Sequence, residues 1–109
     1  MSEEVEADRI EYLEAFSSSS KLYEKACDIF PNGVTHDLRK YEPFPIYASH
    51  AEGGRKCDVD GREYVDLWMG HGSLLLGHCF PDMVEAVGAQ VAKGTHYGAC
   101  HELEVEWGE

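Results

Sequence analysis

The sequence predicts an α+β fold, in which N-terminal helices precede a small three-stranded antiparallel meander and a further helix. Two observations lead to this fold class. The pair Asp60-Gly61 stands between two strand-like segments, which is typical of a β-hairpin turn. Pro81-Asp82 opens a stretch in which apolar residues recur at helical spacing. The length of 109 residues fits one domain.

Two helices are predicted in the first third of the chain. Residues 1–16 are acidic and carry apolar residues at spacings of three, which indicates a short helix. A second helix is predicted over about residues 20–30, where apolar residues share one face and a Pro-Asn-Gly sequence follows. Between them, the serines at 17–20 form either a linker or a helix cap. Residues 1–19 are therefore predicted to be an acidic leader to a segment spanning residues 20–109.

Three strands are predicted in the middle of the chain. Phe44–Ser49, Lys56–Val59 and Glu63–Leu67 are short and rich in β-forming residues. A turn at Glu52–Gly54 separates the first two. Asp60-Gly61 joins the second and third, and the pair predicts a type I′ turn with positive φ at both residues.

The last third combines flexible and apolar segments. Leu74–Leu76 follow a glycine-rich stretch and are too apolar for open water, so we expect them to be buried. The helix that begins at Pro81 is predicted to end near Lys93-Gly94. Residues 102–109 start another amphipathic element whose apolar residues have no later partner in the sequence. The chain is therefore predicted to be cut from a longer protein.

The composition argues against two classes of partner. The formal net charge is −12, from 21 acidic and 9 basic residues, and repels both nucleic-acid phosphates and anionic membrane surfaces. No apolar run approaches the ~20 residues that span a bilayer, and the acidic N-terminus differs from a signal peptide. A cytoplasmic protein is expected. The four cysteines and six histidines lack the spacings typical of metal ligands, so no metal is expected.

Four motifs in order carry a resemblance to a known family. They are PNGVTHDLR at 31–39, DVDGREYVDL at 58–67, GHGSLLLGHCFPDMVEAV at 70–87 and KGTHYGACHELEVE at 93–106. Each is weak alone, but their order and gaps together are specific. The chain resembles the N-terminal quarter of class III, fold type I aminotransferases, and within them the glutamate-1-semialdehyde aminomutase group.

The resemblance implies a larger α/β parent protein, of the fold of pyridoxal-phosphate-dependent transferases. Such a protein is a homodimer that holds pyridoxal 5'-phosphate through a lysine and moves an amino group on a small amino acid, amino aldehyde or keto substrate. None of the five lysines of this chain stands in a matching context. The segment is therefore expected to line the substrate entrance and the dimer interface, and to be inactive alone.

Four residues are candidates for substrate binding by this resemblance. Arg39 matches a loop arginine that resembles a clamp for the substrate carboxylate. Thr35 and His36 stand where the aminomutase loop has small hydroxyl residues. His71 stands where the aminomutase group carries a tryptophan and other class III members a tyrosine, so the pocket is expected to accept a different substrate. The alternative for each is an ordinary solvated loop residue.

Other histidines receive weaker assignments. His78 is expected to make a structural hydrogen bond. His96 and Tyr97 lie in a loop that in the family resembles an element of the dimer interface and active-site rim, although an ordinary loop is an equal alternative. A second function also remains open at this point, that of a small acidic non-catalytic binding protein derived from such an enzyme. Its partner would cover Leu74–Leu76 and Val105–Trp107.

Overall fold

A computed structural model describes residues 3–109 of the chain. Three strands form one antiparallel sheet in the order β1-β2-β3, which confirms the predicted α+β fold and the meander. The elements in chain order are α1 (Glu3–Ala15), α2 (Ser17–Cys27), two 3-10 turns (Pro31–Gly33 and Asp37–Arg39), β1 (Ala48–Glu52), β2 (Arg55–Asp58), β3 (Glu63–Val65), α3 (Pro81–Val91) and α4 (Glu102–Gly108). The chain divides into two compact units, of which the first ends at His78 and the second runs from Cys79 to Glu109.

The first helix is confirmed as α1, and the start of the predicted helix, Met1 and Ser2, lies outside the described residues. The serine run was predicted to be a linker or a cap, and this is wrong. All four serines belong to the first turns of α2, which begins at Ser17. The reason lies far along the chain: Asp60 accepts hydrogen bonds from the backbone N–H groups of Ser18 and Ser19, at 2.6 and 3.0 Å. A carboxylate from the hairpin thus caps the helix, so the serine side chains need not do so.

Phe44 is the anchor of the apolar packing in the first unit. Its side chain is buried, and its ring centroid lies 5.1 Å from that of Tyr12 and 6.4 Å from that of Tyr23. The Tyr12 hydroxyl donates to the Phe44 carbonyl at 2.9 Å. These contacts tie α1 and α2 to the segment before the sheet. A strand was predicted over residues 44–49, but β1 begins only at Ala48.

Proline explains the late start of β1. Pro45 lies within the predicted strand and has no N–H group to donate to a neighbouring strand. The Tyr47 N–H also serves another partner, because it donates to Ser19 Oγ at 3.3 Å. Residues 44–47 are therefore an extended segment that packs on the helices, and the sheet register begins with Ala48 opposite Asp58.

The hairpin between β2 and β3 exists, but the type I′ prediction is wrong. Gly61 has a φ of 86°, whereas Asp60 lies outside the left-handed region. The Gly61 N–H donates to the Asp58 carbonyl, and Asp58 Oδ1 accepts from the N–H groups of Asp60 and Arg62 at 2.9 and 2.8 Å. A buried aspartate therefore closes a turn that ends in a left-handed glycine, a common three-residue hairpin loop.

Apolar residues of the second unit lie largely on its surface. α3 begins at Pro81 as predicted and ends at Val91, with a further turn bonding the Gly94 N–H to the Gln90 carbonyl. Its apolar stripe is exposed and consists of Met83, Val84, Val87 and Val91. In the first unit, Leu75 is likewise 90% exposed, so the described chain does not bury the three leucines as expected. No helix formed by residues 3–109 has the length and apolar character needed to cross a membrane.

Candidate functional site

The loop before the sheet holds three of the four predicted substrate residues. Arg39 ends the second 3-10 turn, and its Nη1 donates to Thr35 Oγ1 at 3.1 Å. His36 caps the same turn, because its Nδ1 accepts from the Leu38 N–H at 3.2 Å. All three predicted residues are exposed. Since a guanidinium has five N–H donors, the bond to Thr35 leaves a pair of donors for a carboxylate.

The fourth predicted residue, His71, lies in a strained turn. The loop of residues 67–77, called the His71 loop below, contains four consecutive residues of positive φ from Met69 to Gly72. Met69 and His71 have φ values of 46° and 62°, which residues other than glycine rarely adopt. The Gly72 N–H donates to the Trp68 carbonyl at 3.0 Å and closes this left-handed turn. The His71 imidazole is exposed and meets the Trp68 indole edge to face, with centroids 5.0 Å apart.

Asp66 organises the start of the same loop. Its side chain is only 4% exposed. Oδ1 accepts from the backbone N–H groups of Trp68 and Met69 at 2.9 and 3.3 Å, and from Lys56 Nζ at 3.3 Å. Oδ2 pairs with His78 Nε2 at 2.7 Å. The bond from His78, helped by those from the backbone, holds the pKa of the Asp66 carboxyl well below its ordinary value, so it is an anion at neutral pH.

The second unit forms a separate hollow of about 480 Å³ around its own loop. The Tyr97 ring stacks on that of His101, with centroids 4.9 Å apart. The Tyr97 hydroxyl donates to the Gly94 carbonyl and accepts from Gln90 Nε2. His101 Nδ1 in turn caps α4. These contacts order the loop that carries His96 and Tyr97, and its role at a dimer interface stays a prediction.

The structure therefore brings together some of the predicted residues. Arg39 and Thr35 meet, while His36 serves the backbone of its own turn and His71 contacts Trp68. The hydrogen-bonding role expected for His78 is confirmed. Asp66 is the residue that sequence reasoning missed. Its signal was an aspartate two residues before a tryptophan at the end of a strand, which is the spacing of an Asx turn.

Within residues 3–109 no group of three or more His, Cys, Asp or Glu side chains is placed to hold a metal ion. The polar side chains of the site instead serve hydrogen bonds within the chain and leave Arg39 as a donor to an anionic ligand.

Known proteins share this arrangement of helices and strands. A solved structure described as a transaminase with PLP bound is 36% identical, with a TM-score of 0.82 over 84% of this chain and 22% of that one. A glutamate-1-semialdehyde-aminomutase from Pseudomonas aeruginosa PAO1 has a TM-score of 0.83 over 94% of this chain and 23% of that one, at 22% identity. The chain has the fold of a portion of these transaminases.

The sequence comparisons identify the family. Residues 38–106 match the Aminotransferase class-III family. The glutamate-1-semialdehyde 2,1-aminomutase of Methanocella arvoryzae is 41% identical over 91 residues, which are 84% of this chain and 21% of that protein. The aminomutase 1 of Cenarchaeum symbiosum is 46% identical over 88 residues, 81% of this chain and 21% of its own length. The chain belongs to the class III aminotransferase family and spans about a fifth of the length of these curated relatives.

Proposed function

We propose that this chain is the N-terminal part of a pyridoxal-phosphate-dependent aminotransferase or aminomutase of the glutamate-1-semialdehyde aminomutase type. The complete protein moves an amino group on a small amino acid, amino aldehyde or keto substrate. The observation that carries this proposal is 41% identity to a named aminomutase over 84% of the chain. In this proposal the described residues line the substrate entrance.

Arg39 is the group we assign to the substrate carboxylate. Its guanidinium is exposed and already held by Thr35, so little side-chain freedom is lost when a ligand binds. A planar fork of donors matches a carboxylate with two parallel bonds. The chain as a whole carries a net charge of −12 and repels anions at longer range, so the attraction for a carboxylate is local to this arginine.

His71 is assigned to the wall of the same entrance. Its imidazole is smaller than the tryptophan of the aminomutase group, and it both donates and accepts hydrogen bonds. A polar wall favours a substrate with a polar group beside the reacting carbon. We therefore propose that this protein prefers a different substrate from aminomutases that carry an aromatic residue at the position of His71.

The residues of this chain do not fit the covalent attachment of the cofactor. Lys56 is paired with Asp66 at 3.3 Å, and the remaining lysines, namely Lys21, Lys25, Lys40 and Lys93, are exposed on the surface. A lysine that binds a carbonyl compound is normally desolvated or next to another cation. Pyridoxal phosphate, when bound, supplies an electron sink for the carbon that carries the amino group. The attaching lysine belongs in our proposal to the larger body of the subunit.

The exposed apolar faces support a role within a larger body. The stripe of α3, together with Leu75 and Trp107, presents apolar surface to solvent that proteins seldom leave open. We propose that the remaining part of the subunit and its partner in a cytoplasmic homodimer cover these residues.

Substitution of Arg39 in the complete protein tests the proposal. Purified protein is expected to show the visible absorbance of bound pyridoxal phosphate and to convert amino substrates that bear a carboxylate. Arg39→Ala is expected to lower kcat/KM for such substrates by about 100-fold, since a charge-assisted pair of bonds contributes roughly 2–3 kcal/mol. Arg39→Lys keeps the charge but lacks the two parallel donors, so its kcat/KM is expected to lie between those of the wild type and Arg39→Ala.

The neighbouring cation provides the control. Lys40→Ala removes one exposed positive charge next to Arg39 and is expected to leave kcat/KM within about twofold, because screened surface charges contribute little. Equal effects of Arg39→Ala and Lys40→Ala on kcat/KM would mean that only net charge matters and would refute the role of Arg39 in binding the substrate carboxylate. Complete protein without the visible absorbance of the cofactor would refute the enzymatic proposal as a whole.

A non-catalytic binding protein is the second candidate, and the exposed apolar residues favour it equally. Thermal melting of the 109-residue chain, followed by circular dichroism, separates the two. A cooperative melt supports an independent binding module. A broad, non-cooperative transition supports a segment that needs the rest of an aminotransferase subunit to fold.

A further inference from the structure

Both ends of the His71 loop are fixed to one turn of the sheet. The Asp66 N–H donates to the Gly54 carbonyl at 2.8 Å. His78 and Gly53 exchange two backbone hydrogen bonds, at 2.8 and 2.9 Å. The Gly77 backbone approaches Gly53 so closely that a Cβ there would lie 2.9 Å from the Gly53 carbonyl oxygen. The eleven residues from 67 to 77 thus leave and return to the same place.

The side chains of Asp66 and His78 join these two ends directly. Asp66 Oδ2 and His78 Nε2 are 2.7 Å apart, and the two side chains are 4% and 22% exposed. The other oxygen of the same carboxylate accepts from the N–H groups of Trp68 and Met69, which begin the left-handed turn. One carboxylate therefore connects the end of the loop with the start of its strained part.

Strain makes such a connection necessary. Non-glycine residues at positive φ persist only where the surrounding structure holds them, because each costs about 1–2 kcal/mol relative to a relaxed backbone. Met69 and His71 are two such residues within one turn, and His71 is the residue assigned to the substrate entrance. A loop freed at one end would relax toward ordinary φ values and turn the imidazole away.

We propose that Asp66 and His78 form a positioning clamp, which holds the left-handed turn and thereby sets where His71 meets the substrate. His78 and Asp66 are positioning residues in this inference, since they act through the loop and touch no substrate. The consequence for substrate binding rests on the proposed function. The effect on the loop itself does not, so the two can be measured separately.

Two variants of His78 isolate the hydrogen bond. His78→Gln keeps a side-chain donor, while His78→Leu has a similar volume without one. Lys56→Met is the control, because it removes another partner of the same carboxylate and leaves the Asp66–His78 pair in place. All are made in the complete protein. Trp68, labelled with 5-fluorotryptophan and assigned through Trp68→Phe, reports the loop by ¹⁹F NMR through its contact with His71.

The clamp predicts a distinct pattern in this spectrum. His78→Leu is expected to shift or broaden the Trp68 resonance, while His78→Gln and Lys56→Met keep it at the wild-type position. A His78→Leu resonance identical to wild type would overturn the inference, as would a His78→Gln resonance displaced as far as that of the leucine variant. If His78→Leu does not fold, His78→Gln alone decides: a wild-type resonance supports the clamp and a displaced one overturns it.

Kinetics then test the link to the substrate. His78→Leu is expected to raise KM for the amino substrate about tenfold with kcat changed less than about twofold, since a misplaced recognition group weakens substrate and transition-state binding alike. A fall in kcat together with loss of the cofactor absorbance would indicate general loss of structure and overturn the positioning role. If the ¹⁹F spectra of the variants change as expected but the protein converts no amino substrate, the proposed function is refuted and the positioning clamp of Asp66 and His78 is still supported.

Discussion

Replacing Asp60 by alanine is expected to loosen the start of α2, although the two lie about forty residues apart in sequence. Asp60 Oδ1 accepts from the Ser18 N–H at 2.6 Å, and Oδ2 accepts from the N–H and the hydroxyl of Ser19 at 3.0 and 2.7 Å. Burial alone would raise the pKa of Asp60, but these hydrogen bonds outweigh it and lower the pKa below its ordinary value. The carboxylate is therefore charged, and caps the helix, throughout the neutral range.

The magnitude follows from the two kinds of bond that the substitution removes. Loss of a helix cap costs about 1 kcal/mol, within a range of roughly 0.5–2. Ser19 is completely buried, so its hydroxyl is left without an acceptor for its hydrogen, at roughly 1–2 kcal/mol. The sum of about 2–3 kcal/mol corresponds to an opening of the first helical turns that is roughly 30- to 150-fold more frequent.

Hydrogen exchange followed by mass spectrometry measures this opening in the complete protein proposed above. Amides of α2 are expected to exchange faster in Asp60→Ala by that factor at neutral pH. Glu63→Ala is the matched control, because Glu63 lies on the same hairpin but pairs with Arg55 on the exposed face of the sheet. Exchange of α2 that is equal in Asp60→Ala and Glu63→Ala would refute the capping argument.

Acid provides a second check on the same cap. A carboxylate with a lowered pKa stabilises the fold at pH values above its ordinary pKa of 3.8, and this stabilisation is lost as the pH falls through the lower value in the folded protein. The difference in exchange between wild type and Asp60→Ala is therefore expected to persist down to pH 4 and to shrink only below it. A difference that disappears between pH 7 and 5 would contradict the assignment to this carboxylate.

Two further predictions concern backbone shape and tyrosine ionisation. Gly33→Ala places a Cβ 2.5 Å from the Tyr23 ring at a φ of 68°, whereas Gly61→Ala meets no atom within 4 Å at a φ of 86°. We expect Gly33→Ala to lower the midpoint of urea unfolding by more than Gly61→Ala, because about 1–3 kcal/mol of overpacking adds to the backbone strain that both variants share. Equal midpoints for the two variants would show that the Tyr23 ring moves aside freely. Burial and the hydrogen bond to Asp58 raise the pKa of Tyr64 to about 12. Tyr64 therefore stabilises the fold below pH 10, and that contribution is lost between pH 10 and 12. In an NMR titration of the labelled Tyr64 ring, Asp58→Asn is expected to lower this pKa, and an unchanged pKa would exclude the Asp58 bond as a cause.

Local signals determined most of the element types before any contact was known. The apolar stripe after Pro81 and the Asp60-Gly61 pair act within a few residues, so the helix and the hairpin could be predicted from them. The motifs that resemble class III aminotransferases likewise lie in short continuous segments. Arg39 and Thr35, which meet in the structure, are four residues apart and belong to one such segment.

Contacts between distant residues decided what the sequence misassigned. The serine run became helical because a carboxylate from the hairpin caps it. The late start of β1 has one local cause, the missing N–H of Pro45, and one distant cause, the donation of the Tyr47 N–H to Ser19. The pairing of Asp66 with His78 could not be predicted from the sequence, because the two residues are twelve positions apart across a loop with no regular period.

The sequence by itself determined the family, the helical and strand character of its segments and the candidate arginine, because each depends on neighbouring residues. Only the tertiary structure decided the element boundaries, the turn type at Gly61 and the pairing that holds the His71 loop. Buried carboxylates are the physical reason. Asp66 accepts hydrogen bonds from Lys56 and His78, ten and twelve residues away, at 3.3 and 2.7 Å. Asp58 closes its turn with donors two to six residues along the chain. Which of the available donors a buried carboxylate meets is known only once the chain has folded.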